Sequence, residues 1–195
     1  MCVNTARNEL SCDKRLLVIN GSPHHNGTTS RLVRSFLDTL PEDIKTISFS
    51  CFDRLPLPCD DCRFCHRADG CSKHDLDEFY TLLENADFLL FACPVYNRSF
   101  PAPMKALIDR LQRYWAARFV RRIRPPIARP KRAALLTVCG GSEPEGVHLE
   151  QQLRPALTVL HTTLTAAVHA CGTDTDEQLL SYGDAVRAAA RVMID

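Results

Sequence analysis

The most informative part of the chain reads Leu16-Leu17-Val18-Ile19-Asn20-Gly21-Ser22-Pro23-His24-His25-Asn26-Gly27-Thr28-Thr29-Ser30. Its first four residues form a continuous apolar run, which is typical of an interior parallel strand that is buried on both faces. After Ser30 the spacing becomes helical, because five apolar residues share one helix face: Leu32, Val33, Phe36, Leu37 and Leu40. A strand that leads through a short polar loop into an amphipathic helix predicts an α/β fold.

Four further stretches predict β-strands: 44–49, 88–93, 133–139 and 164–168. The second and third of these are continuously apolar, so they belong inside a sheet. The first is interleaved with polar residues, and the last is rich in threonine and alanine. Both therefore suit the edges of the sheet.

Helical periodicity returns in four more stretches: 76–83, 104–115, 149–160 and 182–193. Pro155 lies inside the third of these and should kink or divide that helix. The alternation of strands and helices predicts a doubly wound, five-stranded parallel sheet in the order 2-1-3-4-5, with helices on both faces. Ligands of such a fold bind beyond the carboxyl ends of strands one, three and four.

Residues 1–195 are expected to form a single domain, since this length and an apolar content of 45% suffice for one core. We expect residues 1–13 to be disordered or extended. Two insertions are predicted, a cysteine-rich stretch at 56–73 and an Arg/Pro-rich loop at 118–132.

Charge and composition narrow the class of partner. The chain has 24 Lys and Arg against 23 Asp and Glu, which gives no electrostatic reason to expect a nucleic acid or an anionic membrane as partner. The polar start, and the lack of any apolar run near the roughly 20 residues of a membrane span, predict neither a signal peptide nor a transmembrane helix. We therefore expect a cytoplasmic protein, whose ten cysteines serve metal binding, redox chemistry or simple burial rather than disulfides.

A phosphate site is predicted where the first loop enters the first helix. Backbone amides at a helix start, together with the helix dipole, favour an anion there. Four hydroxyls add donors: Ser22, Thr28, Thr29 and Ser30. The loop has neither GxxxxGK[ST] nor GxGxxG, so the expected ligand group is a terminal phosphate monoester. The alternative is that Thr28 or Thr29 only caps the helix.

The sequence Ile19-Asn20-Gly21-Ser22-Pro23, followed by Asn26-Gly27-Thr28-Thr29, resembles the phosphate loop of NAD(P)H-dependent FMN reductases and iron–sulfur flavoproteins, within the flavodoxin-like superfamily. The resemblance extends from about Arg15 to about Thr175. It implies bound FMN, with Asn26 among the cofactor-binding residues, and NAD(P)H as co-substrate. It also implies a homodimer or homotetramer.

The segment after strand three provides a second match. The sequence from Pro94 to Arg110 resembles the family pattern PxYxxxxxxxxKxxxDR. Four residues are expected to hold the flavin ring: Pro94, Val95, Tyr96 and Asn97. Tyr96 and Phe100 offer aromatic faces. Arg98 departs from relatives, which often carry glycine there, and it would either stabilise a reduced, anionic flavin or obstruct access to it.

After strand four, Gly140 and Gly141 let the backbone approach closely. The resemblance implies a supporting FMN contact at these two glycines. The alternative is an ordinary tight turn.

Four cysteines are spaced as CxxCxxCx5C: Cys59, Cys62, Cys65 and Cys71. This spacing favours a [4Fe–4S] cluster over the paired ligands of structural zinc, and it matches the compact motif of iron–sulfur flavoproteins. Zinc and free thiols in a loop near the flavin are the alternatives. Cys93 and Cys139 end buried strands and are interpreted as core thiols.

Three functions remain open. The first is an oxidoreductase in which FMN takes electrons from NAD(P)H and passes them to a quinone, a free flavin, a nitro compound or a protein, with no side chain acting as nucleophile. The second is an iron–sulfur electron carrier for redox proteins. The third is an interaction module without cofactor. The basic residues of the Arg/Pro-rich loop are a solvated surface, or they cover a neighbouring subunit's flavin or attract NAD(P)H phosphates.

Overall fold

Five parallel strands lie side by side in the order β2-β1-β3-β4-β5, as the sequence predicts. The computed structural model describes residues 14–195, so the expectation for residues 1–13 lies outside it. The strands are β1 (Lys14–Asn20), β2 (Ile44–Ser50), β3 (Phe88–Pro94), β4 (Lys131–Val138) and β5 (Thr162–Ala170). The two weaker apolar runs form the edge strands, because only a strand with a neighbour on each side is fully enclosed.

The helices follow the strands in alternation. They are α1 (Thr28–Leu37), α2 (Cys51–Arg54), α3 (Phe64–Arg67), α4 (Asp77–Asn85), α5 (Ala102–Arg110), α6 (Gln112–Phe119), α7 (Gly146–Val159), α8 (Asp176–Ser181) and α9 (Gly183–Ile194). None of the helices formed by residues 14–195 combines the length and apolarity that a membrane crossing requires.

The two faces of the sheet carry separate cores. Side chains alternate across a strand, so Leu17 and Ile19 of β1 point to one face while Leu16 and Val18 point to the other. Helices α4 to α7 cover the first face, and α1, α8 and α9 cover the second. The expectation of helices on both faces is confirmed.

Pro155 does not divide α7, which runs unbroken from Gly146 to Val159. Proline removes one backbone hydrogen bond, but Leu153 and Leu157 on either side of it are both buried in the core. Packing of these two leucines therefore stabilises α7 as one continuous helix.

The insertions differ in part from their predicted bounds. The cysteine-rich stretch 56–73 contains the short helix α3. The stretch 118–132 is shorter than expected as a loop, since Arg118 and Phe119 end α6 and β4 begins at Lys131. The apolar positions of α6 and the pairing of β4 with β3 extend regular structure into this basic segment.

Candidate functional site

The candidate site lies at the carboxyl ends of the parallel strands, where three loops meet. Loop one follows β1, and its Gly21 N donates a hydrogen bond to Ala92 O of β3 (2.8 Å). Loop three follows β3, and its Val95 N donates to Val138 O of β4 (2.8 Å). Loop four follows β4. Because the sheet order places β1, β3 and β4 next to one another, all predicted FMN-binding residues come to this one edge.

Loop one presents unpartnered amides at the start of α1. Gly27 is the N-cap residue, and no side chain caps the helix, so Thr28 and Thr29 do not serve as caps. From residue 14 onward, no hydrogen bond of the protein involves the backbone amides of Thr28, Thr29 and Ser30. Three adjacent free N–H groups at a helix N-terminus are the arrangement of donors that favours an anion.

The two serines of loop one bond to the loop itself. Ser22 Oγ accepts from His24 N (3.2 Å), and Ser30 Oγ donates to His24 O (3.0 Å). These bonds hold the loop in shape, so the amides at the helix start, with Thr28 and Thr29, are the donors left for a phosphate. Asn26 is exposed at the tip of the loop.

Gly21 is required by a close approach. A Cβ at this position would lie 2.4 Å from Met104 Sδ and 3.0 Å from Cys93 Cβ. The absence of a side chain therefore lets loop one pack directly against β3 and the helix that follows loop three.

Loop three forms a tight two-residue turn that the sequence analysis did not identify. Tyr96 and Ser99 exchange both backbone hydrogen bonds (3.0 and 2.9 Å), and Asn97 and Arg98 have φ angles of 51° and 58°. Two positive φ angles in succession define a type I′ turn, whose preferred sequence is Asn-Gly. Asn97 was the residue of the sequence that could have indicated this turn.

The aromatic residues of loop three have different surroundings. Tyr96 is 44% exposed and offers its ring at the edge of the sheet. Phe100 is 4% exposed and packs in the core, so the expectation that it offers a face to the flavin is wrong. The turn reverses the chain after Tyr96 and returns it to the protein interior.

Arg98 pairs with loop four. Its Nε lies 3.1 Å from Glu145 Oε1, and its carbonyl accepts from Gln152 Nε2 of α7 (3.5 Å). Arg98 thus bridges loop three and the start of α7. Pairing with Glu145 neutralises its charge at this edge.

The two glycines of loop four are exposed, but only Gly141 has open space around it. A Cβ on Gly140 would lie 2.8 Å from Asp174 Oδ1, whereas a Cβ on Gly141 meets nothing within 4 Å. Gly141 O accepts from Gly172 N (2.7 Å), which ties loop four to the segment after β5.

A polar network lies beneath loop four and was also missed by sequence reasoning. Thr137 Oγ1 bonds to His169 Nδ1 (2.9 Å), and His169 Nε2 bonds to Glu150 Oε2 (3.0 Å). Burial opposes ionisation of Glu150, but hydrogen bonds from His169 and Arg154 hold the pKa of its carboxyl below the usual value. The residues come from β4, β5 and α7, and no short motif joins them in sequence.

The four motif cysteines line one small cavity. Cys59 and Cys62 are exposed, while Cys65 and Cys71 are partly buried. The cavity measures about 20 Å³, and Arg110 lines it together with the four thiols. Among residues 14–195, no three His, Cys, Asp or Glu side chains converge as ligands of a single metal ion.

The donor set has the chemistry that an iron–sulfur cluster uses, because four cysteine thiols line one cavity. The enclosed space is only about the size of one water molecule, so binding a cluster would require this cavity to widen.

The other cysteines within residues 14–195 do not line this cavity. Cys93 is fully buried, and burial raises the pKa of its thiol. Cys139 is also buried, which confirms the prediction of core thiols for both. Burial raises the pKa of Cys51 to about 12.

The basic segment is largely paired with acceptors of the protein itself. Arg121 bonds to Asp69 (2.8 Å), Arg129 bonds to Asp87 (2.8 Å), and Lys131 Nζ donates to Ala86 O (2.6 Å). Asp87 lies at the amino end of β3. Arg129 and Lys131 therefore lie at the amino ends of the strands, whereas loops one, three and four follow the carboxyl ends.

Known proteins share parts of this sequence. Over 98 residues the chain is 34% identical to an iron–sulfur flavoprotein of Methanocaldococcus jannaschii, covering 49% of the chain and 51% of that protein. It is 28% identical over 127 residues to an NADPH:quinone oxidoreductase of Arabidopsis thaliana, covering 65% of the chain and 59% of that protein. The chain spans about half the length of the curated relatives it matches first.

Solved structures share the whole fold. The NAD(P)H:quinone oxidoreductase from Methanothermobacter marburgensis superposes with a TM-score of 0.71 at 18% identity, covering 94% of this chain and 98% of that chain. This likeness shows that the fold is flavodoxin-like. The family model described as NADPH-dependent FMN reductase matches residues 14–176, which include loops one, three and four. The chain therefore belongs to the NADPH-dependent FMN reductase family of oxidoreductases.

Proposed function

We propose that this protein is an FMN-dependent NAD(P)H oxidoreductase. It passes electrons from reduced nicotinamide through bound FMN to a small acceptor such as a quinone or a flavin, or to a protein. The observation that carries the proposal is the group of three unpartnered amides at Thr28, Thr29 and Ser30, beside loops three and four. Bound FMN supplies the redox chemistry, so no side chain is needed as a nucleophile.

The residues of the site divide into three tasks. The amides at the start of α1, with Thr28 and Thr29, bind the phosphate. Ser22 and Ser30 keep the loop in shape through their hydrogen bonds to His24. Asn26 contributes to cofactor binding at the tip of the loop. The segment Pro94–Asn97 positions the ring. Gly140 and Gly141 leave room at the ring's edge. Arg98, held by Glu145, restrains loop three against the start of α7.

The second candidate is an iron–sulfur flavoprotein electron carrier with a [4Fe–4S] cluster on Cys59, Cys62, Cys65 and Cys71. The shared cavity of the four thiols supports it. So does the similarity to the iron–sulfur flavoprotein of M. jannaschii. The cluster would exchange single electrons with a redox protein.

One experiment separates the two candidates. The protein is purified anaerobically, its iron, sulfide and FMN are measured, and NADPH is added while the flavin absorbance is followed. Rapid bleaching without iron supports the oxidoreductase, whereas stoichiometric iron with sluggish bleaching supports the carrier. Protein that stays colourless and fails to take up added FMN contradicts both.

Further proposals concern the protein as a whole. We propose that it acts as a single domain in the cytoplasm, where its thiols stay reduced. We also propose a homodimer or homotetramer, for which the exposed apolar side chains of Trp115, Phe119 and Ile123 provide a surface. Sedimentation velocity tests the assembly, and a monomer at micromolar concentration contradicts it.

A further inference from the structure

Arg110 is a buried cation with an unusual set of partners. Only 2% of it is exposed. Its Nη1 donates to Leu57 O and to Asp75 Oδ1, both at 3.0 Å, and its Nη2 donates to Lys73 O at 2.8 Å. Its Nε is buried and has no hydrogen-bond partner within residues 14–195.

The partners of Arg110 enclose the cysteine loop in sequence. Leu57 precedes Cys59, and Lys73 and Asp75 follow Cys71. Asp75 closes the same junction, since its other oxygen accepts from Leu57 N at 2.9 Å. A single guanidinium therefore holds both ends of the loop together.

The unpartnered Nε belongs to a side chain that lines the four-cysteine cavity. A buried N–H donor without an acceptor costs about 1–3 kcal/mol, so such a group in a native protein calls for a ligand or a water molecule. The four cysteines contribute sulfur atoms to the lining of the same cavity. Sulfur anions accept hydrogen bonds, and hydrogen bonds to cluster sulfurs tune the reduction potential.

We propose that Arg110 is a positioning residue of a sulfur-anion site, in which its Nη groups close the cysteine loop and its Nε–H donates to a thiolate or sulfide of a bound [4Fe–4S] cluster. This inference rests on the second candidate function. The guanidinium also supplies a buried positive charge, which Asp75 balances in part. One-electron reduction adds a negative charge to the cluster, so a nearby cation favours the reduced state.

The test compares Arg110→Gln and Arg110→Lys with Arg67→Gln as a matched control. Arg67 lies in the same cysteine loop, but it is exposed and is not among the residues that line the cavity, so solvent screens its charge. Each protein is reconstituted anaerobically with iron and sulfide. Iron retention against a chelator and the midpoint potential of the cluster are then measured, with thermal unfolding as the check on folding.

The expected result for Arg110→Gln is a lower midpoint potential and an iron affinity weaker by about 10-fold or more. Arg110→Lys keeps the charge but loses the Nε donor, so a smaller fall in potential is expected. Arg67→Gln should match the wild type. If Arg110→Gln does not fold, the lysine variant decides the question by the same two measurements.

Two results would overturn the inference, and they are distinguishable. A folded Arg110 variant with wild-type potential and iron retention means that Nε binds a buried water and that Arg110 only anchors the loop. A wild-type protein that takes up no iron removes the second candidate function and this inference with it. The first candidate is judged separately by the NADPH experiment.

Discussion

Two glycines that follow β4 have opposite surroundings, and this difference predicts the effect of adding one methyl group. A Cβ on Gly146 would lie 1.9 Å from Thr137 Oγ1 and 2.5 Å from His169 Nδ1, whereas a Cβ on Gly141 has open space. We expect Gly146→Ala to lower the free energy of unfolding by about 3 kcal/mol, through overpacking and loss of the partly buried Thr137–His169 hydrogen bond. Urea unfolding of the FMN-free protein measures it.

Gly141→Ala is the matched control for this prediction. It adds the same methyl group to the same connection but should change the free energy of unfolding by less than about 0.5 kcal/mol. Equal unfolding midpoints for the two variants would mean that α7 does not start against the Thr137–His169 pair.

Arg98 occupies a backbone conformation that favours glycine. With φ at 58° in a type I′ turn after Asn97, it stands where Asn-Gly is preferred. We expect Arg98→Gly to raise the free energy of unfolding by about 0.5 kcal/mol. Relief of the left-handed conformation, about 1 kcal/mol, exceeds the value of the exposed ion pair with Glu145.

Arg98→Ala separates the two contributions, because it removes the ion pair but keeps a Cβ in the left-handed conformation. Thermal and urea unfolding of both variants gives the comparison. An alanine variant as stable as the glycine variant would show that the turn stores no strain at this position.

At the scale of the elements, Lys131 joins the end of α4 to the start of β4. Its Nζ donates to Glu84 O and Ala86 O, and it is 3% exposed. Burial, and to a lesser extent the charge of Arg129, lowers the pKa of Lys131 from 10.5 to about 8. Between these values the unfolded chain holds a proton that the folded protein has released, so this group makes stability rise with pH.

The variant Lys131→Met isolates this contribution. We expect the free energy of unfolding of the wild type, relative to the variant, to increase between about pH 8 and pH 10.5 and to be flat below that window. Urea unfolding at a series of pH values checks it. A difference that stays constant across the window would mean that Lys131 titrates at the same pH in both states.

The elements also show what sequence patterns predict and what they miss. The continuous apolar runs in β1, β3 and β4 correctly predicted interior strands, because burial on both faces leaves a direct mark on composition. The predicted helix 104–115 is divided at Leu111 into α5 and α6, and the composition of the sequence did not indicate this division. Leu111 keeps right-handed helical angles, with a 3.0 Å bond from its N–H to Ile108 O, so the apolar spacing continues through the division.

The same distinction applies to the candidate site. The free amides at the start of α1 could be predicted, because the first N–H groups of any helix have no partner within the helix, whatever the side chains do. The hydrogen bonds of Ser22 and Ser30 to His24 within the loop could not be predicted, because the sequence does not indicate which partner a hydroxyl group will have. The Thr137–His169–Glu150 network likewise depends on three elements that only the folded sheet brings together.

For the molecule as a whole, the sheet order brings the phosphate loop, the Tyr96 turn and the two glycines to one edge. The paired basic residues Arg129 and Lys131 lie at the opposite edge. We therefore propose that cofactor binding depends on backbone donors rather than on cationic side chains, and that the amides of Thr28, Thr29 and Ser30 hold a phosphate monoester.

Comparing the affinities of the protein for FMN and for riboflavin tests this claim most directly, because the two flavins differ only in the terminal phosphate. Charge-assisted hydrogen bonds contribute about 1.5–3 kcal/mol each, so three of them predict that FMN binds at least about 1,000-fold more tightly. Quenching of flavin fluorescence at constant ionic strength measures both dissociation constants. Equal affinity for riboflavin and FMN would contradict the account.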